Sequence, residues 1–336
     1  MKIRPYIAGD ESGILKLRRC VFGVQDPFKL KRDTWQWEFL ENPEGRALII
    51  VAEEKDKIIG HYGLLPTRIS YYGKDILVGL AVDLMVHPGF RRKGLFLKLF
   101  ERVVEEAKKY NFNAIWGFPN RIALPVYTNK LGWYHVKTLK IYVMVNLKVF
   151  FKRCAQGEFS CDQPKFDYYR KNNIEFAKID NFNDSYNFWK YNLSHLILKE
   201  RTPSYLNWRY IAPYWYNYKV YSISINGDTK GFFVLRFMEY KGFEVGFLMD
   251  IFPLPLLYPK IFKDVIRAIG SMCFSVGAKL FIFGDPMSLI PPISSFIHLP
   301  DPFSPRPWYV GWKALSPFFV PRAKDFYVTF GDGDII

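Results

Sequence analysis

Cysteine and histidine are scarce in this sequence, which has four cysteines and five histidines among 336 residues. The cysteines form no CxxC pair and have no histidine partner at the spacing of metal ligands. These absences argue against a zinc site or any other bound metal, and against a disulfide framework. They favour a protein of the reducing cytoplasm.

Long apolar runs and long basic runs are also missing. No apolar stretch reaches the about 18 residues that a membrane helix needs, and the N-terminal segment MKIRPYIAGDESG is polar. We therefore expect no transmembrane segment and no export signal. Lysine and arginine are scattered along the chain, which argues against a dedicated nucleic-acid surface.

Positive charge and apolar residues are plentiful. The formal net charge of +15 predicts a surface that attracts anions, such as CoA phosphates, nucleotide sugars or an acidic membrane face. Hydrophobic residues make up 49% of the chain, enough to bury a large core. Since 336 residues are long for one compact domain, we expect two.

The chain contains the same pattern twice. Trp37-Glu38-Phe39 precedes Gly60 by the same interval at which Trp208-Arg209-Tyr210 precedes Gly231. Asp83 and Asp250 are each followed, at matching distances, by Pro, Gly and a second Pro: Pro88, Gly117 and Pro119 in one copy, Pro255, Gly284 and Pro286 in the other. Several matches in one register predict a duplication.

Each copy predicts the same succession of strand, turn, strand, strand, helix and strand. In the first copy the last three elements are expected over 77–86, 94–110 and 114–118, and in the second over 243–252, 258–276 and 279–283. The helix of the first copy has an apolar stripe at i, i+4 spacing, made of Leu95, Leu99, Val103 and Ala107. We therefore predict two mixed α/β domains, 1–150 and 168–336, joined by a linker over 151–167.

The stretch from Val82 to Phe96 carries the first chemical signal. It reads as a buried strand, a Pro-Gly turn and a basic loop, Arg91-Arg92-Lys93, whose Gly94 opens a helix. Amide groups at a helix N-terminus bind anions, and glycine lets a phosphate come close to the backbone. The simpler alternative is a solvated turn before a helix.

A second motif follows the last strand of the first copy. It consists of Asn120, Tyr127 and the pair Gly132-Trp133, which close a presumed helix. A buried tyrosine is usually a packed aromatic residue, but this spacing resembles a family motif.

The two motifs together resemble the GCN5-related N-acetyltransferase (GNAT) superfamily over about residues 1–140. Arg91 and Gly94 match its acyl-CoA signature, while Phe96 stands where that signature has a small residue. The resemblance implies two tandem GNAT-like domains, each a mixed, mostly antiparallel sheet flanked by helices. It also implies an enzyme that transfers an acyl group to an amine from acetyl-CoA or another acyl-CoA.

By that resemblance Asn120 would contact the pantetheine arm, Tyr127 would protonate the departing thiolate, and a backbone N–H near Val86 would stabilise the oxyanion. The residues expected to bind the cosubstrate are Met85, Val86, Arg91, Arg92, Lys93, Gly94, Leu95, Phe96 and Asn120. Asp83 is the first candidate for the general base, with His87 and His61 behind it. A structural hydrogen-bonding role for Asp83 is equally compatible with the sequence.

The second copy departs from this chemistry. At the offset that relates Asp83 to Asp250, Ile261 stands in the place of Gly94, and the equivalent of Arg91 is Tyr258. A β-branched residue there makes a poor phosphate cradle. We predict a degenerate GNAT-like domain that shapes the substrate pocket.

The acceptor is less defined. Gly60 to Pro66, Val82 to Pro88 and Gly117 to Asn120 resemble a GNAT branch associated with bacterial surface-polysaccharide synthesis. This implies an amino sugar, either free or linked to a nucleotide, as the small-molecule acceptor. Other small amines, antibiotics and protein lysines stay open, as do the acyl chain length and the oligomeric state.

Two other classes remain. One is a Fem-type transferase that uses aminoacyl-tRNA, although such enzymes lack the acyl-CoA phosphate loop. The other is a non-catalytic acyl-CoA-binding module in which Tyr127 only packs.

Overall fold

A computed structural model describes residues 1–24, 26–147, 166–186, 188, 193–290, 296–301, 304, 307–316 and 321–333. The chain forms two compact units. Unit 1 comprises Met1–Thr138, Leu193–Glu200 and Trp308–Ala323. Unit 2 comprises Leu139–Asn192, Arg201–Pro307 and Lys324–Ile336.

Unit 1 is built on a sheet whose strands follow the order β1-β2-β3-β4-β5-β15, with β9 paired to β3. The pair β4 and β5 is parallel, whereas the other strands pair antiparallel. The strands are β1 (Lys2–Pro5), β2 (Leu48–Glu54), β3 (Lys57–Tyr71), β4 (Lys74–Val86), β5 (Ala114–Gly117), β9 (Ile197–Lys199) and β15 (Trp308–Ala314).

Among the described residues, four helices flank this sheet: α1 (Glu11–Phe22), α2 (Arg32–Leu40), α3 (Leu95–Lys109) and α4 (Ala123–Lys130). The predicted apolar stripe of α3 is confirmed, because Leu95, Leu99, Val103 and Ala107 are all buried. They pack in one core cluster with residues of β2, β3 and α4, including Ile50, Tyr62 and Tyr127. Burial of this face holds α3 on the sheet.

Unit 2 has its own mixed sheet, in which β12 and β13 are parallel and the other neighbours antiparallel. Its strands are β7 (Tyr168–Lys171), β8 (Ile174–Lys178), β10 (Lys219–Ile225), β11 (Asp228–Tyr240), β12 (Phe243–Phe252), β13 (Leu280–Asp285) and β14 (Ile297–Leu299). The boundary between the units falls within β6 (Tyr134–Val145), whose second half pairs with β13. The helices are α5 (Pro203–Leu206), α6 (Leu254–Leu257) and α7 (Pro259–Ser275).

Each unit contains the ladder that the sequence repeat predicts. In unit 1, β2, β3 and β4 are antiparallel neighbours and α3 leads to the parallel β5. In unit 2, β10, β11 and β12 are antiparallel neighbours and α7 leads to the parallel β13. The predicted mixed, mostly antiparallel sheet flanked by helices is therefore confirmed.

The division of the chain differs from the predicted cut into 1–150 and 168–336. Two later segments belong to unit 1, because β9 pairs with β3 and β15 pairs with β5. Pairing between strands far apart in sequence leaves no local signal that could reveal it. Of the predicted linker over 151–167, residues 151–165 lie outside the described residues.

Within the described part of the chain, no helix combines the length and apolar character required to cross a bilayer.

Candidate functional site

Strands β4 and β5 separate in the middle of unit 1. They pair from Val78 to Leu80 on β4, opposite Ala114 to Trp116 on β5. β5 ends one residue later at Gly117, whereas β4 continues to Val86. The stretch 81–86 therefore runs beyond the described pairing with β5, and it includes Met85 and Val86. An open strand edge offers backbone groups to an extended ligand.

A β-bulge interrupts β4 in this stretch. His61 pairs with Met85 and Gly63 pairs with Val82, so that Tyr62 on β3 faces both Asp83 and Leu84. Asp83 is left-handed, with φ +48°. Bulges bend a strand and leave a residue out of the ladder, and they are frequent beside active sites.

The basic loop follows β4 and is exposed over 91–94. Arg92 and Gly94 are both left-handed, with φ +61° and +74°. A Cβ on Gly94 would meet no atom within 4 Å, so the backbone conformation, and not packing, favours glycine there. Gly94 is the N-cap of α3 and supplies no side-chain cap, and the first helical turn has no acidic residue.

Two side chains of the region around this loop have defined contacts. Arg91 Nε donates to the carbonyl oxygen of Val86 at 3.3 Å, which ties the loop to the end of β4. Lys93 Nζ lies over the ring of Phe90, 5.2 Å from its centroid. The free amide groups at the start of α3, beginning with Leu95 and Phe96, complete an environment suited to an anion.

Tyr127 lies on α4 and is buried. It packs edge-on against Phe96 and against Trp133, with centroid distances of 6.0 and 4.7 Å. Phe96, the departure from the family signature, thus packs against the proposed acid. Burial raises the pKa of Tyr127 to about 12, while the neighbouring Tyr62 acts in the opposite direction. The hydroxyl therefore keeps its proton through the physiological range.

Asn120 caps the segment that leads into α4. Its Oδ1 accepts hydrogen bonds from the backbone N–H groups of Ile122 and Ala123, at 3.0 and 2.8 Å. The Nδ2 group is then the part of this exposed side chain that could contact a ligand.

Asp83 lies in a buried ion pair with Arg18 of α1. Arg18 also donates to Glu38 Oε2 at 3.3 Å and to the carbonyl oxygen of Lys29 at 2.6 Å. The Asp83 carbonyl oxygen faces His61 Nδ1 at 2.7 Å. Burial, followed by the charge of Arg18, lowers the pKa of His61 to about 3, so that His61 is neutral.

The candidate residues lie on two faces of the sheet. Tyr62, Leu84 and Tyr127 belong to the core cluster beneath α3 and α4. Asp83 contacts Arg18, and His61 packs edge-on against Phe39 of α2 at 5.7 Å. These contacts place Asp83 on the face covered by α1 and α2, whereas Tyr127 lies on the face covered by α3 and α4, so the two side chains do not meet directly.

His87, the other candidate base, instead accepts a hydrogen bond from the Gly89 amide at 3.2 Å and shapes the turn before the basic loop.

Arg18 and Tyr62 were not among the predicted site residues. Arg18 follows Ile14 and Leu17 on the buried side of α1, and a charge on an apolar face could have drawn attention to it. Tyr62 gives no such signal, because it stands in a continuous buried run of β3.

The described residues contain no cluster of His, Cys, Asp or Glu that could hold a metal ion.

Comparison with known families supplies one match. Residues 2–136 match a family described as an acetyltransferase (GNAT) domain. Comparison with curated protein sequences gives no significant match.

Solved structures of similar fold cover most of the chain. A GCN5-related N-acetyltransferase from Anabaena variabilis is 12% identical with a TM-score of 0.62, over 94% of this chain and 73% of that one. Another from Kribbella flavida is 12% identical with a TM-score of 0.61, over 93% and 70%. Saccharomyces cerevisiae N-myristoyltransferase with bound myristoyl-CoA is 12% identical with a TM-score of 0.55, over 97% and 83%. At these identities the similarity is one of fold.

Proposed function

We propose that this chain, whose residues 2–136 form a GNAT acetyltransferase domain, is an N-acyltransferase that moves an acyl group from CoA to an amine. The course of β4 is the observation that carries the proposal. The strand leaves β5 after Leu80, runs on to Val86 and ends at the basic loop before α3. An open strand edge suits the extended arm of a thioester, and a helix N-terminus suits its phosphates.

The pyrophosphate of CoA would lie at the start of α3. The amide groups of Leu95 and Phe96 would donate to it, Arg91, Arg92 and Lys93 would add positive charge, and Gly94 would keep the loop in its left-handed conformation. Charge-assisted hydrogen bonds of this kind are among the stronger ones in proteins.

The pantetheine arm would follow the edge of β4 beside Met85 and Val86, with Asn120 Nδ2 opposite. The thioester carbonyl would then reach the bulge at Asp83 and Leu84, where a backbone N–H can stabilise the oxyanion that forms as the amine attacks. Asp83 belongs to this part of the site, either as general base or as a structural ion pair.

Tyr127 would serve the leaving group. As the C–S bond breaks, negative charge develops on the CoA sulfur, and burial makes that charge costly. With a pKa of about 12, the Tyr127 hydroxyl stays protonated and can give its hydrogen to the sulfur at that moment. That proton leaves with the thiol, and the proton that the amine loses as the amide forms restores the Tyr127 hydroxyl.

For the acceptor we propose an amino sugar of a bacterial surface polysaccharide, either free or linked to a nucleotide. The support is the resemblance of the β3, β4 and β5 segments to that branch of GNAT proteins. The net charge of +15 is compatible with a phosphorylated carrier. We propose acetyl-CoA as the first acyl donor to test.

Calorimetric titration with acetyl-CoA, followed by a screen of primary amines, amino sugars and nucleotide-linked amino sugars, tests the proposal. We expect about one equivalent of acetyl-CoA to bind, and the CoA thiol to appear only with an accepted amine. Binding without transfer to any amine would favour a non-catalytic acyl-CoA-binding module. Binding of aminoacyl-tRNA without binding of CoA would favour a Fem-type transferase.

A further inference from the structure

Two groups of Asp83, its carboxylate and its backbone carbonyl, are each contacted by another side chain. Its carboxylate forms the buried ion pair with Arg18, and its carbonyl oxygen faces His61 Nδ1 at 2.7 Å. A carbonyl oxygen can only accept, so the ring of His61 must carry its hydrogen on Nδ1 and donate it. Both neighbours are almost completely shielded, with His61 0% and Arg18 1% exposed.

This double hold stabilises an unfavourable backbone conformation. A left-handed non-glycine residue is strained and persists where its surroundings fix it. Asp83 has φ +48° within an otherwise extended strand. Because the fixed residue is the first of the two that face Tyr62, its conformation sets the direction of the next backbone N–H group, that of Leu84.

The hydrogen bond to the Asp83 carbonyl oxygen accounts for the presence of a buried histidine at position 61. The other ring nitrogen, Nε2, is buried and has no hydrogen-bond partner in the described part of the chain. Burying a polar group in this way destabilises a fold unless something else is gained. The gain available here is control of the Asp83 carbonyl.

Unit 2 has the Asp–Arg pair of this arrangement but not the histidine. Asp250 stands at the equivalent place on β12, where the register of β11 and β12 also shifts, and it pairs with the buried Arg201. Phe232 follows Gly231 where His61 follows Gly60. The Asp–Arg pair thus accompanies the bulge in both units, whereas the histidine accompanies it only in the unit with the basic loop.

We propose that Asp83 and His61 are positioning residues: Arg18 and His61 hold Asp83 left-handed so that the backbone N–H of Leu84 points at the acyl carbonyl. This inference rests on the proposed function. In it Asp83 acts through its backbone conformation, and its carboxylate takes no proton from the amine.

The first test uses His61→Phe, which introduces the residue of unit 2, and His61→Asn, which keeps an N–H donor near the Nδ1 position. Each protein binds [1-13C]acetyl-CoA, and the carbonyl chemical shift, the Kd and kcat are measured. A polarised carbonyl gives a downfield shift. We expect His61→Phe to lose that shift and to lower kcat by about 10²-fold, the loss typical of one oxyanion donor, with Kd unchanged. His61→Asn should restore most of both.

Unchanged carbonyl shift and kcat in folded His61→Phe would overturn the inference, as would failure of His61→Asn to restore either. Failure of the wild-type protein to bind acetyl-CoA would instead overturn the proposed function. The two failures are therefore distinguishable.

The second test separates positioning from base catalysis at Asp83. Asp83→Gly and Asp83→Ala are each combined with Arg18→Met, so that neither partner of the ion pair is left as a buried charge alone. Glu38, which also contacts Arg18, keeps Lys29 Nζ at 3.8 Å. The two proteins differ by one methyl group on a left-handed residue, which glycine tolerates and alanine does not. We expect the glycine protein to keep the downfield carbonyl shift and to exceed the alanine protein in kcat by about 10-fold.

Equal and severe loss of kcat in both double variants, with the carbonyl shift intact, would make the carboxylate itself the base and overturn the inference.

Discussion

The connections that follow the third strand of the shared ladder differ between the two units. In unit 1, β4 leads to an exposed basic loop and Gly94 starts α3. In unit 2, β12 leads to the short helix α6, which is buried at Leu254 and Pro255, and α7 begins with Pro259. Proline has no N–H and removes one of the donors that a helix N-terminus offers to an anion. The features suited to phosphate thus belong to the connection and not to the ladder.

The buried Asp–Arg pairs, in contrast to the basic loop, occur in both units. Arg201 contacts both Asp250 and Asp332, at 3.1 and 2.9 Å, in the unit without the basic loop. Arg18 pairs with Asp83 in the unit that has it. A feature common to both units is more simply explained by the bulged ladder than by chemistry in one of them.

Removing the carboxylate of either buried Asp–Arg pair should have the largest effect, a loss in the free energy of unfolding. Asp83→Ala and Asp250→Ala each remove one carboxylate from a buried arginine and leave it with one acidic partner, Glu38 for Arg18 and Asp332 for Arg201. Breaking a buried pair lowers the free energy of unfolding by up to about 3–5 kcal/mol. Denaturant unfolding measures the loss, and Asp264→Ala on the exposed face of α7 provides the control. A large loss for Asp250→Ala and none for Asp83→Ala would break the comparison.

A substitution in the basic loop should have the second largest effect, on the Kd for acetyl-CoA. Gly94→Glu places a carboxylate and a strained φ where phosphates are proposed to lie, and we expect the Kd for acetyl-CoA to rise by about 10³-fold. Lys260→Glu, in the first turn of α7, changes the charge more strongly and should leave the Kd unchanged. Calorimetric titration of each variant with acetyl-CoA measures the two Kd values. Equal losses for both variants would point to net charge and not to the loop.

Tyr127→Phe should slow turnover without affecting acetyl-CoA binding. Losing the hydrogen donor for the sulfur lowers kcat by about 10²-fold if general acid catalysis operates. Steady-state kinetics with Tyr110→Phe, an exposed tyrosine after α3, as the control would test this. Full activity of Tyr127→Phe would reduce Tyr127 to a packed aromatic residue.

The smallest expected effect concerns pH. Burial lowers the pKa of His61 to about 3, against an ordinary value of about 6.5 in the unfolded chain. Between these values the unfolded chain binds a proton that the folded chain does not. Stability should therefore fall as the pH drops below about 6.5, by about 1.4 kcal/mol for each pH unit. His61→Phe should lose this part of the slope, and an unaltered slope would contradict the assignment.

Local patterns in the sequence were sufficient for much of unit 1. The stripe Leu95, Leu99, Val103 and Ala107 predicts α3 because packing on a sheet demands that spacing. The GNAT resemblance of the first part of the chain is confirmed by the family match over residues 2–136, and with it the expectation of an acyltransferase. The degenerate nature of unit 2 and the individual roles of the site residues stay predictions.

What the sequence could not reveal depends on long-range contacts. Arg18 meets Asp83 only after α1 has packed on the sheet, and neither residue belongs to a motif that names the other. The left-handed conformation of Asp83 could not be predicted from the sequence either, because an aspartate within a strand does not indicate a bulge.

The antiparallel pairing of β15 with β5 bears on how the protein is synthesised. Gly311 to Ala314 lie beside Ala114 to Gly117, so the sheet of unit 1 acquires this neighbour only after nearly the whole chain has left the ribosome. Until then β5 is an uncovered edge that another chain can pair with. A fragment ending near residue 150 would carry both motifs and still expose that edge. Such a fragment should aggregate unless the segment Trp308–Ala323 is supplied as a separate peptide.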